Sequence, residues 1–183
     1  MDKKIPLVAA VGMALIISGC AAWSKTNGYY RNPSQKYSTE LPWGWMRYRG
    51  NDLLLTKDGV FLEAITVIRR NIKDKLEFTK KLFGKGMLPE EIAEIIIDDL
   101  KASNKIGNLE IIENSPAKIG GRDAFKLVYS FTTESGLKKR CIHYGFGYEK
   151  WVYEVSYSGT DWHYFDKGVN DFEQMVESFK FLG

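Results

Sequence analysis

The chain holds two histidines and two cysteines in 183 residues, and that scarcity removes several kinds of chemistry at once. Two imidazoles leave no room for a histidine-rich metal centre, and two cysteines permit at most one disulfide. Neither a G-x-S-x-G nucleophile elbow nor an H-E-x-x-H zinc helix occurs. A phosphate loop over Gly84 and Gly86 fails on charge, because Glu90 and Glu91 fill the helix turn that a phosphate needs. Charge of one sign is missing too: 26 Lys and Arg stand against 23 Asp and Glu, a net +3 that is too small for a nucleic-acid footprint. An apolar run occupies residues 5–17. A membrane-spanning helix needs about 20 such residues, so this run does not read as a permanent span.

What is present at the amino terminus is a leader. Lys3 and Lys4 precede the apolar run, and small residues Ser18 and Gly19 follow it, which is the pattern of a secretory signal peptide. Ile17-Ser18-Gly19-Cys20 resembles the lipobox of bacterial lipoproteins. The resemblance implies that residues 1–19 are removed and that Cys20 is acylated, its sulfur supplying the nucleophile for thioether formation. Two or more acyl chains anchor stably where one gives marginal binding. Such proteins retained in the inner membrane commonly carry Asp after the cysteine, and Ala21 stands there, which points to the periplasmic face of the outer membrane. If Cys20 carries lipid it cannot pair, leaving Cys141 as a buried, inert thiol in a strand. Loss of the leader removes Lys3, Lys4 and Asp2 and leaves a net charge of about +2.

Residues 20–35 are polar, contain Gly28 and Pro33, and read as a flexible tether with a reach of about 20–25 Å. Residues 36–183 then form one domain, which is long enough to bury a core. Within 51–70, Val60, Leu62, Ala64, Thr66 and Ile68 share one face while Phe61, Ile65 and Val67 share the other. This predicts a strand covered on both sides, preceded by a turn at Lys57-Asp58-Gly59. Further strands are predicted over 124–133, 138–148 and 151–158, with turns short enough to join antiparallel neighbours. Helices are predicted from Pro89, with Ile92, Ile96 and Leu100 on one face, and from Asp166 onward, with Val169, Phe172, Val176 and Phe179 on one face. The fold class is α+β, a mainly antiparallel β-sheet with flanking helices.

The order of these parts resembles a known fold. Pro42-Trp43-Gly44-Trp45, a two-strand unit, a helix, the stretch IGGRDAFKLVYSF, a hairpin with WVYEVSYSG and a closing FEQMVESFKF helix are similar to the PsbP fold. That α/β/α sandwich is shared by the photosystem II extrinsic protein, the Ran-binding Mog-type proteins and the DcrB-like periplasmic lipoproteins. GMLPEEIAEIIIDDLKAS with ENSPAKIGGRDAFKLVY looks like a group of proteobacterial lipoproteins. The resemblance covers about residues 36–182 and implies an architecture, since members of the fold do not share one reaction.

The candidate sites are sparse. His143 lies within a predicted strand beside Cys141 and reads as structural. Asp161, His163 and Asp166 cluster before the last helix, where they offer two carboxylates and an imidazole to a metal ion, or an Asp to cap the helix. A hydrolase with an unrecognised site needs a histidine beside a serine or carboxylate in a cleft. Two features suit binding. One is a basic segment, residues 69–87, in which Lys80 and Lys81 interleave with Phe78 and Phe83, a pattern suited to an anionic lipid surface or an acidic partner. The other is a set of aromatics, Trp43, Trp162 and Tyr164 among them, that anchor a partner wherever they are exposed. The sequence therefore reads as a non-enzymatic envelope lipoprotein without cofactor, bound to the membrane through its lipid and binding a protein partner. A small-ligand or metal module is the alternative.

Overall fold

The computed structural model describes residues 22–182, and period-two alternation marks several of its strands. The strands are β1 (Trp23–Lys25), β2 (Gly28–Asn32), β3 (Tyr37–Leu41), β4 (Met46–Tyr48), β5 (Leu53–Thr56) and β6 (Glu63–Asn71). After α1 (Pro89–Lys101) come β7 (Ile106–Ile119), β8 (Arg122–Thr133), β9 (Lys138–Tyr148) and β10 (Trp151–Thr160), then α2 (Tyr164–Glu177) and the short β11 (Lys180–Phe181). An eight-stranded sheet has the order β1-β4-β5-β6-β10-β9-β8-β7, and a three-stranded sheet has the order β11-β3-β2. Every pairing is antiparallel, as the α+β reading requires.

Two cores follow from the alternation. Tyr153, Val155 and Tyr157 of β10 point to one side with Ile65 and Val67 of β6, and α2 covers them with Phe172, Met175 and Val176. On the opposite face Phe125, Leu127, Cys141 and Val152 meet Ile92, Ala93, Ile96 and Ile97 of α1. Truncating a side chain as deeply buried as Phe172 to Ala costs about 3–5 kcal/mol. Helix α1 begins at Pro89, where the missing N–H costs nothing, and the Glu91 carboxylate accepts from the Leu88 N–H at 2.8 Å. No described helix is long and apolar enough to cross a membrane.

Several expectations are corrected. Residues 22–35 are not a tether: β1 pairs with β4, with Trp23 opposite Tyr48, and β2 pairs with β3, with Tyr30 opposite Thr39. Their polarity was misleading because short edge strands are held by backbone pairing and need no apolar alternation. Thr26 reinforces the entry by donating from Oγ1 to the carbonyls of Pro42 and Trp45. The β5–β6 hairpin exists, but its turn runs over 57–62, and the strand starts at Glu63 rather than Val60. Leu62 and Glu63 both donate backbone N–H to the Gly59 carbonyl, which folds Phe61 out of the ladder into solvent. Strand β6 is covered fully on one face only, since α1 lies over the β7–β10 half and leaves Ala64, Thr66 and Ile68 half-buried. The 14-residue edge strand β7 adds to the strands that the sequence predicts. Helix α2 starts at Tyr164 and stops at Glu177, so Phe179 is buried from just beyond its end.

The turns of both sheets fall at two ends of the large sheet. Where the chain enters at Ala22 stand the turns 33–36, 49–52, 120–121 and 149–150 and the residues after β6. Gln35 ties two of them, its Nε2 donating to the Asn51 carbonyl and to Asp52. At the far end stand the turns 42–45, 57–62, 134–137 and 161–163.

Candidate partner-binding surface

The far end is the apolar end. Trp162 is 96% exposed, Phe61 81% and Trp43 74%, the three most exposed large hydrophobic side chains among the described residues, and each stands on one of its turns. Leu137, 40% exposed, stands on a fourth. Scattered exposed apolar residues are ordinary, but several on the loops at one end of a sheet are the arrangement in which binding residues commonly sit.

The backbone under these side chains is fixed. Trp45 is wholly buried and donates its indole N–H to Asp171 Oδ2 at 2.8 Å, which clamps the turn carrying Trp43 to α2. Lys167 of α2 reaches Asp58 at 2.7 Å and so holds the turn that carries Phe61. The Thr160 N–H donates to the Leu62 carbonyl and the Asp161 N–H to the Lys138 carbonyl, joining the Trp162 turn to its neighbours on both sides. Preorganised loops lose little freedom on binding, so most of the energy of burying an aromatic ring is retained.

The other sequence candidates do not join this surface as a group. Tyr164 is half-buried at the start of α2, set edge-on against His163 with the Lys167 ammonium over its ring. Lys81 pairs with Asp98 of α1 at 2.6 Å, and Lys80 gives its ammonium to the Glu77 carbonyl. Both lie on the α1 side of the sheet. Cys20 lies outside the described residues.

Asp161, His163 and Asp166 are not arranged for a metal. Arg140 reaches Asp161 at 2.6 Å and Asp166 at 3.6 Å, and Lys138 reaches the other Asp161 oxygen at 3.2 Å. Partial burial works to raise the Asp161 carboxyl, but these two cations outweigh it and hold the group below its usual range. His163 occupies the α2 N-cap position without a side-chain cap, so neither carboxylate caps the helix. Among the described residues no three His, Cys, Asp or Glu side chains stand close enough together to hold an ion.

Sequence reasoning missed a buried polar cluster under α1. Glu154 pairs with Arg70 at 3.1 Å, and His143 Nε2 stands 3.4 Å from its second oxygen without hydrogen-bond geometry, so both ring nitrogens are unpartnered. Burial favours the neutral carboxylic acid, yet His143 and Arg70 prevail and keep Glu154 below its usual range. Ser156 sits directly across from His143, but its hydroxyl is engaged with Thr66 at 2.8 Å. Without a hydrogen bond to an imidazole, that serine is not an activated nucleophile. Cys141 is free and buried, and burial pushes its thiol up to about 12. Such a thiol is inert, as the sequence suggested. A groove of about 510 Å³ between the start of α1 and β7–β8 is lined mainly by Leu88, Pro89, Pro116, Ala117 and Phe125, with Glu90 and Asp123 as the titratable residues of its lining.

The PsbP family model matches residues 26–181. The solution structure of cyanobacterial PsbP (CyanoP) from Synechocystis superposes with a TM-score of 0.58 at 16% identity, over 90% of this chain and 95% of that one. The Ran-binding protein Mog1p of Saccharomyces cerevisiae superposes with a TM-score of 0.55 at 11% identity, over 87% of this chain and 97% of that one. At these identities the likeness is one of fold. No curated protein matches the sequence.

Proposed function

The chain belongs to the PsbP family, and from that premise we propose that it is a lipid-anchored envelope protein that performs no chemistry and holds a protein partner against its far-end aromatics. The observation that carries this reading is the placement of Trp43, Phe61 and Trp162 on three clamped turns at one end. A buried Trp or Phe removes about 150–250 Å² from water, which makes such residues the usual anchors of an interface. The lipobox-like Ile17-Ser18-Gly19-Cys20 supports the anchor, and Ala21 after it supports the periplasmic face of the outer membrane. No step of the function calls for a cofactor.

The test is photo-crosslinking in the intact cell envelope. A photoreactive residue at Phe61 or Trp162 is expected to give a discrete protein adduct, and the same residue at Lys118 is expected to give none. Adducts of equal yield from all three positions, or none from Phe61 and Trp162, would sink the proposal.

A further inference from the structure

The opposite end of the sheet has a different character, and it is where the lipid would be. Cys20 precedes Ala22 by two residues, so their Cα atoms are at most about 7 Å apart. The Ala22 carbonyl already accepts from the Arg49 N–H at 2.8 Å, and β1 begins at Trp23. No slack remains to lift the domain away. A lipid on Cys20 therefore presses the entry end, with its turns 33–36, 49–52, 120–121 and 149–150, onto the bilayer.

That end is cationic and edged with aromatics. Lys36, Arg49, Lys73 and Lys150 are exposed in its turns and strand ends, and Arg69 and Arg122 stand half-buried beside them. None of these six forms an ion pair among the described residues, whereas Lys138, Arg140 and Lys167 at the far end all do. Arg69 lies over the Trp151 ring at 4.1 Å, and Arg122 over Tyr148 at 4.1 Å and Phe181 at 4.4 Å. These stacks hold guanidinium groups without neutralising them. Four carboxylates share the same turns and strand ends. Asp52 accepts from Gln35, Asp74 from the Asn71 N–H, Asp123 pairs with Lys118 at 2.6 Å, and Glu149 is the fourth, fewer than the cations around them. Trp23 and exposed Tyr48, packed edge-on at 5.3 Å beside the entry point, are the residue types favoured at the headgroup level.

We infer that this end is a docking surface for anionic phospholipid, in which Lys36, Arg49, Lys73 and Lys150 engage headgroup phosphates while the far-end aromatics point away from the membrane. The inference rests on the proposed lipid anchor for its orientation, and on the unpaired cations for its lipid chemistry.

The experiment uses the mature full chain, purified from membranes and placed in phosphatidylethanolamine vesicles with or without phosphatidylglycerol. Its mass first reports whether Cys20 is acylated. A fluorophore is attached at Asn51→Cys on the entry end or at Phe61→Cys on the far end, Cys141 remaining unlabelled because it is buried with a raised pKa. Energy transfer to an acceptor lipid is expected to be stronger from position 51 than from position 61 in both kinds of vesicle, and to rise from position 51 when phosphatidylglycerol is present. The variant Lys36→Gln/Arg49→Gln/Lys73→Gln/Lys150→Gln, confined to exposed side chains, should bring position 51 down to its level without phosphatidylglycerol. Transfer from position 51 that ignores both changes, or position 61 lying nearer the membrane, overturns the inference. If the mass shows no acyl chains the anchor reading fails by itself, and sedimentation of the unacylated chain with phosphatidylglycerol vesicles at low salt then decides the surface. Binding about two to three orders of magnitude stronger than that of the variant upholds it, and equal binding overturns it.

Discussion

Trp45 and Asp171 are 126 residues apart in sequence and are joined by a 2.8 Å hydrogen bond from the indole N–H to the carboxylate. The bond fixes the turn 42–45 on α2, and in the same turn Trp43 stands two residues away in solvent. The two tryptophans of one short motif thus do opposite work. Trp45→Phe should destabilise the fold by about 1–3 kcal/mol, through lost ring volume and an orphaned Asp171. Trp43→Ala should change stability by no more than about 0.5 kcal/mol and remove most of the crosslinking from the far end. Chemical denaturation of both variants, with the crosslinking yield of the second, checks the pair.

Gly168 packs against Tyr157, and a Cβ there would collide with the phenol oxygen and ring and crowd Glu63 at 3.1 Å. The Tyr157 hydroxyl is already committed to the Tyr164 carbonyl at 2.5 Å and the Phe165 carbonyl at 3.2 Å. Gly168→Ala gains helix propensity, so a destabilisation isolates the close approach of α2 to β10. A loss of about 1–3 kcal/mol in midpoint denaturation is expected. A gain in stability would mean that α2 sits farther from the sheet than described.

These two sites show which parts of the molecule were legible beforehand. Strands β8, β9 and β10 were readable because burial on both sides makes runs of apolar and β-prone residues bounded by short turns, and the helices because one buried face imposes a spacing of three and four. Strand β7 hid for the opposite reason. It is an edge strand in which exposed and covered positions alternate from Leu109 on, but Ile112 is exposed while Glu113 and Ser115 are half-buried, so no apolar/polar alternation marks it in the sequence. β1 and β2 hid because their partners, β4 and β3, are recognised only once the chain is folded. Trp43 and Trp162 were nameable as candidates, but their exposure was not, since Trp45 in the same motif is buried. Alternation alone places Phe61 on a covered strand face, because the Gly59 turn that ejects it is decided by backbone hydrogen bonds.

Asp161 and Asp166 are committed to Arg140, and Asp161 also to Lys138. Calorimetric titration with calcium, zinc or manganese is therefore expected to give no heat above dilution. Asp161→Asn should cost no more than about 1 kcal/mol, because the cations it pairs with are partly exposed. Heat that vanishes in Asp161→Asn would restore the metal reading.

The proposed lipid attachment at Cys20 has its own signature. Cys20→Ala should accumulate as an unprocessed precursor without labelled palmitate, while the wild-type chain takes up label and is shortened. On a sucrose gradient the wild-type protein is expected with outer-membrane markers, as Ala21 suggests. Label and maturation in the Ala variant would refute the lipobox. Co-migration with inner-membrane markers would refute the sorting alone.

Two buried glutamates make opposite predictions for pH. Burial raises the pKa of Glu63 above the usual 4.5, with the Asp58 N–H and nearby lysines only partly countering it. A folded-state pKa above the unfolded one means that the native state binds the proton more tightly. The contribution of Glu63 is therefore full below about pH 4.5 and lost as pH rises through the raised value. Glu154 is the reverse. Its folded-state pKa lies below 4.5 because His143 and Arg70 overcome burial, so its contribution is present above about pH 4.5 and lost as pH falls through the lowered value. Glu63→Gln should gain on the wild type as pH is raised from 4 toward 7. Glu154→Gln leaves Arg70 without its carboxylate and should lose about 1–3 kcal/mol at pH 7, the deficit shrinking below about pH 4. Urea denaturation of the three proteins across this range distinguishes them, and parallel curves would remove both assignments.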